Sequence, residues 1–114
     1  MPMLFKIVPV GLWRSAEQAG VFRGSEVDLK DGFIHFSTAA QAEETAARHF
    51  AGQTDLLLVT VDGDRLGTAL KWEPSRGGAL FPHLYGELPL SIVTSVVPLP
   101  LGPDGRHRFP ELAP

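Results

Sequence analysis

The chain has 114 residues, no cysteine and a formal net charge of −3. That is one domain's length, enough to bury a single core. Its composition excludes disulfides, thiolate nucleophiles and thiolate metal sites. Its charge argues against bulk nucleic acid or an anionic membrane as a partner, since both select a basic excess. Met1-Pro2-Met3-Leu4-Phe5-Lys6 lacks the basic segment and apolar run of a signal peptide. No apolar run approaches the roughly 18 residues that span a bilayer, so a cytoplasmic location is expected.

Leu4 to Val8 reads as a first strand, stopped by Pro9, which cannot donate to a ladder. Gly11 to Ala19 reads as a short helix with Leu12, Ala16 and Ala19 on one face and Gly20 as its stop. Val21 to Lys30 mixes Gly24, Ser25 and charged residues and reads as a loop, ending in an Asp31-Gly32 turn. A short strand follows. Phe33, His35 and Ser37 point to one face of it, Ile34 and Phe36 to the other. Thr38-Ala39-Ala40-Gln41 has capping-box spacing and opens a helix running to about Phe50, closed by Gly52. Glu43 and Glu44 early and Arg48 and His49 late complement the helix dipole. Ala39, Ala42, Ala46 and Phe50 form its buried stripe.

Leu56 to Val61 is almost continuously apolar, the pattern of a central strand covered on both faces. Asp62-Gly63-Asp64 turns the chain, and Leu66 and Leu70 give one helical turn before Lys71-Trp72-Glu73, cut short by Pro74. Ser75 to Gly86 combines a Gly77-Gly78 turn with an extended Phe81-Pro82 segment. Ile92 to Val97 is a strand ended by Pro98. Gly102-Pro103-Asp104-Gly105 is a turn, Arg106 to Phe109 returns as an edge strand, and Pro110 to Pro114 is a loosely held tail. Residues 1–114 thus form a single domain. Strand-like runs alternate irregularly with only two clear helices, which predicts an α+β class with a split antiparallel or mixed sheet.

No nucleotide-binding glycine motif, phosphate loop or nucleophile elbow is present. The candidates must come together in space. His35, Ser37 and Thr38 arrive at a strand end that abuts a helix N-terminus, where backbone N–H groups point outward. Arg76, His83 and Tyr85 recur beside glycines, and a guanidinium, an imidazole and a phenol suit a phosphate, a ribose hydroxyl pair or a carboxylate. Structural roles compete with each of these. His35 can be a half-buried histidine bonded to backbone, and Ser37 and Thr38 can be helix caps. Arg76 can be a surface partner of Glu73, and Tyr85 can be a core aromatic with a wet hydroxyl. His35, His83 and Glu73 are legitimate zinc ligands, but no local spacing pins them together, and no metal is expected. A Ser37–His83 nucleophile pair lacks an acid and an oxyanion hole.

Ile34-His35-Phe36-Ser37-Thr38 and Leu80-Phe81-Pro82-His83-Leu84-Tyr85-Gly86 resemble the corresponding blocks of domain-of-unknown-function family 952. So do Phe5-Lys6-Ile7, Gly24-Ser25, Asp31-Gly32, Leu70-Lys71-Trp72-Glu73 and Ser75-Arg76-Gly77-Gly78. The resemblance covers about nine-tenths of the chain. That family is bacterial, and the resemblance implies a small α+β domain similar to the ADP-ribosyltransferase fold, whose split sheet cradles NAD. A fainter likeness to RNA 2′-phosphotransferases runs through Ile34 to Ser37, the helix from Ala39 to His49 and Val59 to Asp62. The essential Arg-His pair of those enzymes, in an added N-terminal region, has no counterpart here. By position, His35 inherits the role of holding a ribose hydroxyl of NAD. Glu73 and Glu87 are the candidates for the transferase glutamate.

The resulting expectation is a cleft that binds NAD or a related small-molecule nucleotide. His35 and Glu73 stand as its catalytic residues and Ser37, Thr38, Arg76, His83 and Tyr85 as its ligand-binding residues. ADP-ribosyl or phosphoryl-group transfer is the leading chemistry. A non-enzymatic nucleotide-sensing or protein-interaction module is the alternative, and a metal-dependent hydrolase a weaker one. No protein partner is identifiable. A glutamate beside His35 separates the enzyme from the binding module.

Overall fold

The run from Leu56 to Asp62 is apolar at both odd and even positions, so it can be covered on both faces. In a computed structural model, which describes residues 3–112, it forms the middle strand of a sheet. That sheet is antiparallel, ordered β1 (Met3–Pro9), β4 (Leu56–Asp62), β8 (Val93–Pro98). Leu57, Val59 and Val61 point into one core cluster with Leu4, Val8, Trp13 and Phe22. Leu56 and Leu58 point into a second cluster with Phe5, Ile7, Ala42, Ala46 and Leu99. Alternation along one strand therefore feeds two cores.

A second antiparallel sheet is ordered β3 (Ile34–His35), β6 (Leu80–Leu84), β5 (Leu70–Pro74), and β2 (Val21–Phe22) pairs with β7 (Leu88–Pro89). The two larger sheets touch where Phe5 and Ser37 exchange backbone hydrogen bonds of 2.8 Å in both directions. The fold is α+β, with its strand pairs antiparallel throughout.

Three α-helices flank the sheets. The first, α1 (Val10–Ala19), ends at Gly20, whose φ of 80° is the left-handed stop expected there. Its buried residues are Trp13 and Ala16, not the expected Leu12, Ala16 and Ala19 stripe. Ala19 is exposed. Trp13 offers the larger apolar area and turns the helix toward itself. A second helix, α2 (Glu26–Asp31), replaces the loop expected over Val21 to Lys30. Ser25 and Asp28 close a reciprocal capping box around its first turn, and Gly32 ends it at φ 87°. The third, α3 (Ala39–His49), opens on the Thr38–Gln41 capping box and buries Ala42 and Ala46 as expected.

Gly63–Ala69 is a 3-10 segment broken at Gly67, not one α-turn. Arg106 to Phe109 does not return as a strand. A single Leu101–His107 bridge forms, and His107 Nε2 lies 2.8 Å from the Gln53 carbonyl, which draws the segment onto the α3–β4 loop. In the tail, Leu112 packs against the second cluster, and residues 113–114 lie outside the described residues. Among the described residues no helix is long and apolar enough to cross a membrane.

Candidate functional site

β1 is an edge strand, paired with β4 on one side and touching Ser37 at one bridge on the other. A cleft of about 800 Å³ runs along that edge, between α2, α3 and the β3–β6 pair, within the size range of small-molecule sites. Phe5, Ile7, Phe36 and Phe81 give it apolar walls, and Lys6, Asp28, Asp31, His35 and His83 gather at its polar end.

At that end lies a buried charge cluster. Asp28, whose side chain is inaccessible, sits 3.0 Å from Lys6 Nζ. Its Oδ1 lies 2.6 Å from His35 Nδ1 and accepts the His35 backbone N–H at 3.2 Å. Its Oδ2 accepts the Ser25 backbone N–H at 2.8 Å. Lys6 Nζ also donates to the His35 carbonyl at 2.9 Å. Burial alone would push the Asp28 carboxyl up, but the His35 hydrogen bond, the Lys6 charge and the Ser25 amide together outweigh it and hold Asp28 well below the usual carboxylate range. Burial lowers Lys6 from the usual lysine value, and Asp28 opposes that only in part. His35 completes the cluster. Its side chain is one-third exposed, and Nε2 lies 3.0 Å from Asp31 Oδ2.

A second cluster abuts the first because His35 and His83 are directly opposed in the β3–β6 register. Their ring centroids are 5.4 Å apart, edge to face. Phe33 stacks on His83 at 4.1 Å and tilts against His35 at 4.6 Å and Tyr85 at 5.2 Å. His83 Nδ1 lies 2.8 Å from Glu73 Oε1, which also accepts the Tyr85 hydroxyl at 2.7 Å. The bonds from Tyr85 and His83 hold the Glu73 carboxyl below its ordinary value, and the same contact raises the Tyr85 phenol.

The expected site residues are thus distributed unevenly. His35, Ser37 and His83 line the cleft. Glu73 and Tyr85 sit behind His83 at the surface, in contact with the cluster and not in the cleft wall. Thr38 is the cap of α3. The Ser37 and Thr45 hydroxyls lie 2.8 Å apart; Thr45 donates to the Gln41 carbonyl, so Ser37 is the donor of the pair. Glu87 pairs with Arg23 at 2.6 Å on the exposed surface, away from His35. Only the backbone of Arg76 is described, in the 3-10 turn that follows the cleft residue Ser75. The suggested Arg76–Glu73 ion pair therefore lies outside the described residues. Among the described residues no three His, Cys, Asp or Glu side chains gather as a metal site.

Lys6, Asp28 and Asp31 were not anticipated. Reading residues 21–30 as a loop hid Asp28, and Asp31 was read only as a turn residue. The available signal was Ser25-Glu26-Val27-Asp28, an N-terminal box one residue type away from the usual Ser-x-x-Glu.

Set beside known proteins, residues 7–96 match the profile of a family described as "Protein of unknown function (DUF952)". The chain belongs to that family. The chain is also similar to the solved structures of protein CC0527 from Caulobacter crescentus. Its X-ray crystal structure is 50% identical with a TM-score of 0.90, covering 93% of each chain. Its solution NMR structure is 51% identical with a TM-score of 0.84, covering 93% of this chain and 91% of that one. No curated protein matches.

Proposed function

We propose that the cleft is a nucleotide site that takes the ribose of NAD or ADP-ribose at its polar end, and that ADP-ribosyl transfer from NAD is the chemistry its residues suit. One observation carries this reading: a one-third-exposed His35 lies at the cleft between carboxylates, with His83, Glu73 and Tyr85 behind it. Vicinal ribose hydroxyls are donors, and carboxylates and imidazole nitrogens accept from them. The cleft volume and apolar walls fit a flat base or pyridine ring beside the ribose. NAD supplies an activated glycosidic bond. The protein's part is orientation and electrostatics, since carboxylates near a ribosyl carbon favour the positive charge that grows there. Asp31 stands at that end of the cleft, and Glu73 lies behind His83, outside the cleft wall.

By the criterion of a glutamate beside His35, the non-enzymatic module gains over the transferase, because Glu73 bonds to His83 and Glu87 to Arg23. Calorimetric titration with ADP-ribose, with a nicotinamide-release assay on NAD, separates the two. Saturable ADP-ribose binding that His35→Gln weakens about 10–100-fold, the equivalent of about 1–3 kcal/mol, supports the site. Nicotinamide release lost in His35→Gln and Glu73→Gln supports the transferase. Binding without release selects the module. If His35→Gln lowers the melting temperature sharply while leaving affinity in the folded fraction unchanged, His35 is structural and the reading fails.

A further inference from the structure

Asp28 is the only fully buried carboxylate among the described residues, and it is also the only buried residue of its helix. Its neighbours in α2, Val27 and Leu29, are 54% and 65% exposed. The helix is therefore held by a charge cluster and not by apolar packing. A capping role explains one oxygen, the Oδ2 that accepts the Ser25 amide. It does not explain why Oδ1 is turned inward onto His35 Nδ1 at 2.6 Å, the length of a charge-assisted bond. The loop is also shaped to this placement. A Cβ on Gly24 would fall 2.7 Å from Asp28 Cβ, so the backbone closes on the aspartate where only glycine fits.

A neutral imidazole carries one N–H. A carboxylate fixed against Nδ1 keeps that proton on Nδ1 and fixes the orientation of the ring. Nε2 is the ring atom turned toward Asp31, which sits in the cleft wall. Asp31 accepts from Nε2 only when that nitrogen is protonated too.

We infer that Asp28 is a positioning residue that keeps Nδ1 of His35 protonated and turns Nε2 to the cleft side. Lys6 keeps the carboxylate in place from the opposite side. The inference rests on the reading above that His35 meets the ligand, and the test separates the two.

The full chain, labelled with ¹⁵N, is examined by long-range ¹H–¹⁵N imidazole spectra over a pH series. Wild-type His35 is expected to keep a proton on Nδ1 throughout. A Lys6→Met/Asp28→Leu variant, which leaves no charge buried alone, is expected in its folded fraction to shift His35 toward the Nε2–H tautomer and to bind ADP-ribose at least 10-fold more weakly. An Nε2–H tautomer in the wild type overturns the inference, whether or not the variant folds. So does an unchanged tautomer in the folded variant, or a changed tautomer with unchanged ADP-ribose affinity. If wild type keeps the proton on Nδ1, the variant loses it, and neither binds ADP-ribose, then Asp28 positions His35 as inferred and the nucleotide reading is what fails.

Discussion

Removing the ammonium of Lys6 tests whether the charge cluster holds α2 to the domain. Lys6→Met keeps the aliphatic stem and so opens little cavity, but it removes the 3.0 Å contact to Asp28 and the 2.9 Å bond to the His35 carbonyl. At that separation, an effective dielectric of about 20 gives roughly 5 kcal/mol of attraction before desolvation. Burial depresses Lys6 despite Asp28, so relieving that desolvation offsets much of the loss. Asp28 meanwhile keeps the Ser25 and His35 donors. Those opposing terms put Lys6→Met at about 3 kcal/mol, the low end of what breaking a buried pair costs. Asp28→Leu should cost more, about 5 kcal/mol, because it strands an ammonium that retains only the His35 carbonyl. The double variant should cost less than the sum by about 2 kcal/mol or more. Urea unfolding followed through Trp13 and Trp72 fluorescence reads all three values. Additive losses, or a Lys6→Met change within about 1 kcal/mol of wild type, would refute the reasoning.

Gly24→Ala forces a Cβ against Asp28 at a φ of 120°, and should destabilise by about 1–3 kcal/mol while shifting the His35 imidazole resonances; an unshifted His35 would detach Gly24 from the site. Thr38→Ala removes half of the α3 capping box and should cost about 1 kcal/mol, with ADP-ribose affinity in the folded fraction unchanged by calorimetry. On acidification, Asp28 and Glu73 both have native values below their ordinary ones. Their contributions are therefore complete above about pH 4, the unfolded-state range, and are lost as pH falls through the lowered native values. Unfolding free energy should drop below that pH, and more shallowly in Lys6→Met/Asp28→Leu; parallel slopes would dissociate Asp28 from the acid response.

What could be read from the sequence followed local rules. The Leu56 to Val61 run could only be a doubly covered strand, and Thr38-x-x-Gln41 fixed the start of α3. His35 and His83 were legible as polar residues beside turns, but their direct opposition depends on the β3–β6 register, a pairing across 48 residues that no local pattern encodes. Asp28 was harder still. An aspartate three residues after a serine, with valine and leucine on either side, looks like a solvated turn. Its burial follows from a lysine 22 positions earlier on β1, and β1 itself reads as an apolar strand with one misplaced charge. That charge was the overlooked signal. A lysine between Phe5 and Ile7 in a core strand needs a counter-charge, and Asp28 is where the fold brings one.

The phosphates of a nucleotide would meet the same balance of charges. Among the described residues Lys6 is the only lysine or arginine in the cleft wall, and it is nine-tenths buried against Asp28. Glu26, Asp28 and Asp31 line the same wall. A phosphate placed there meets carboxylates, so its counter-charge has to come from the rim. Ser75 lines the cleft and Arg76 follows it, in a turn where Gly77 takes a φ of 67° and permits the bend. Arg76→Ala should accordingly weaken AMP by about 1.5–3 kcal/mol, the range for a hydrogen bond to a charged group, and adenosine by much less, because only AMP offers the anionic partner. Isothermal titration of both ligands against wild type and variant gives the difference directly. Equal losses for AMP and adenosine would mean that Arg76 supports the loop and not the phosphate, and the cleft would then be a site for a ribose without its phosphates.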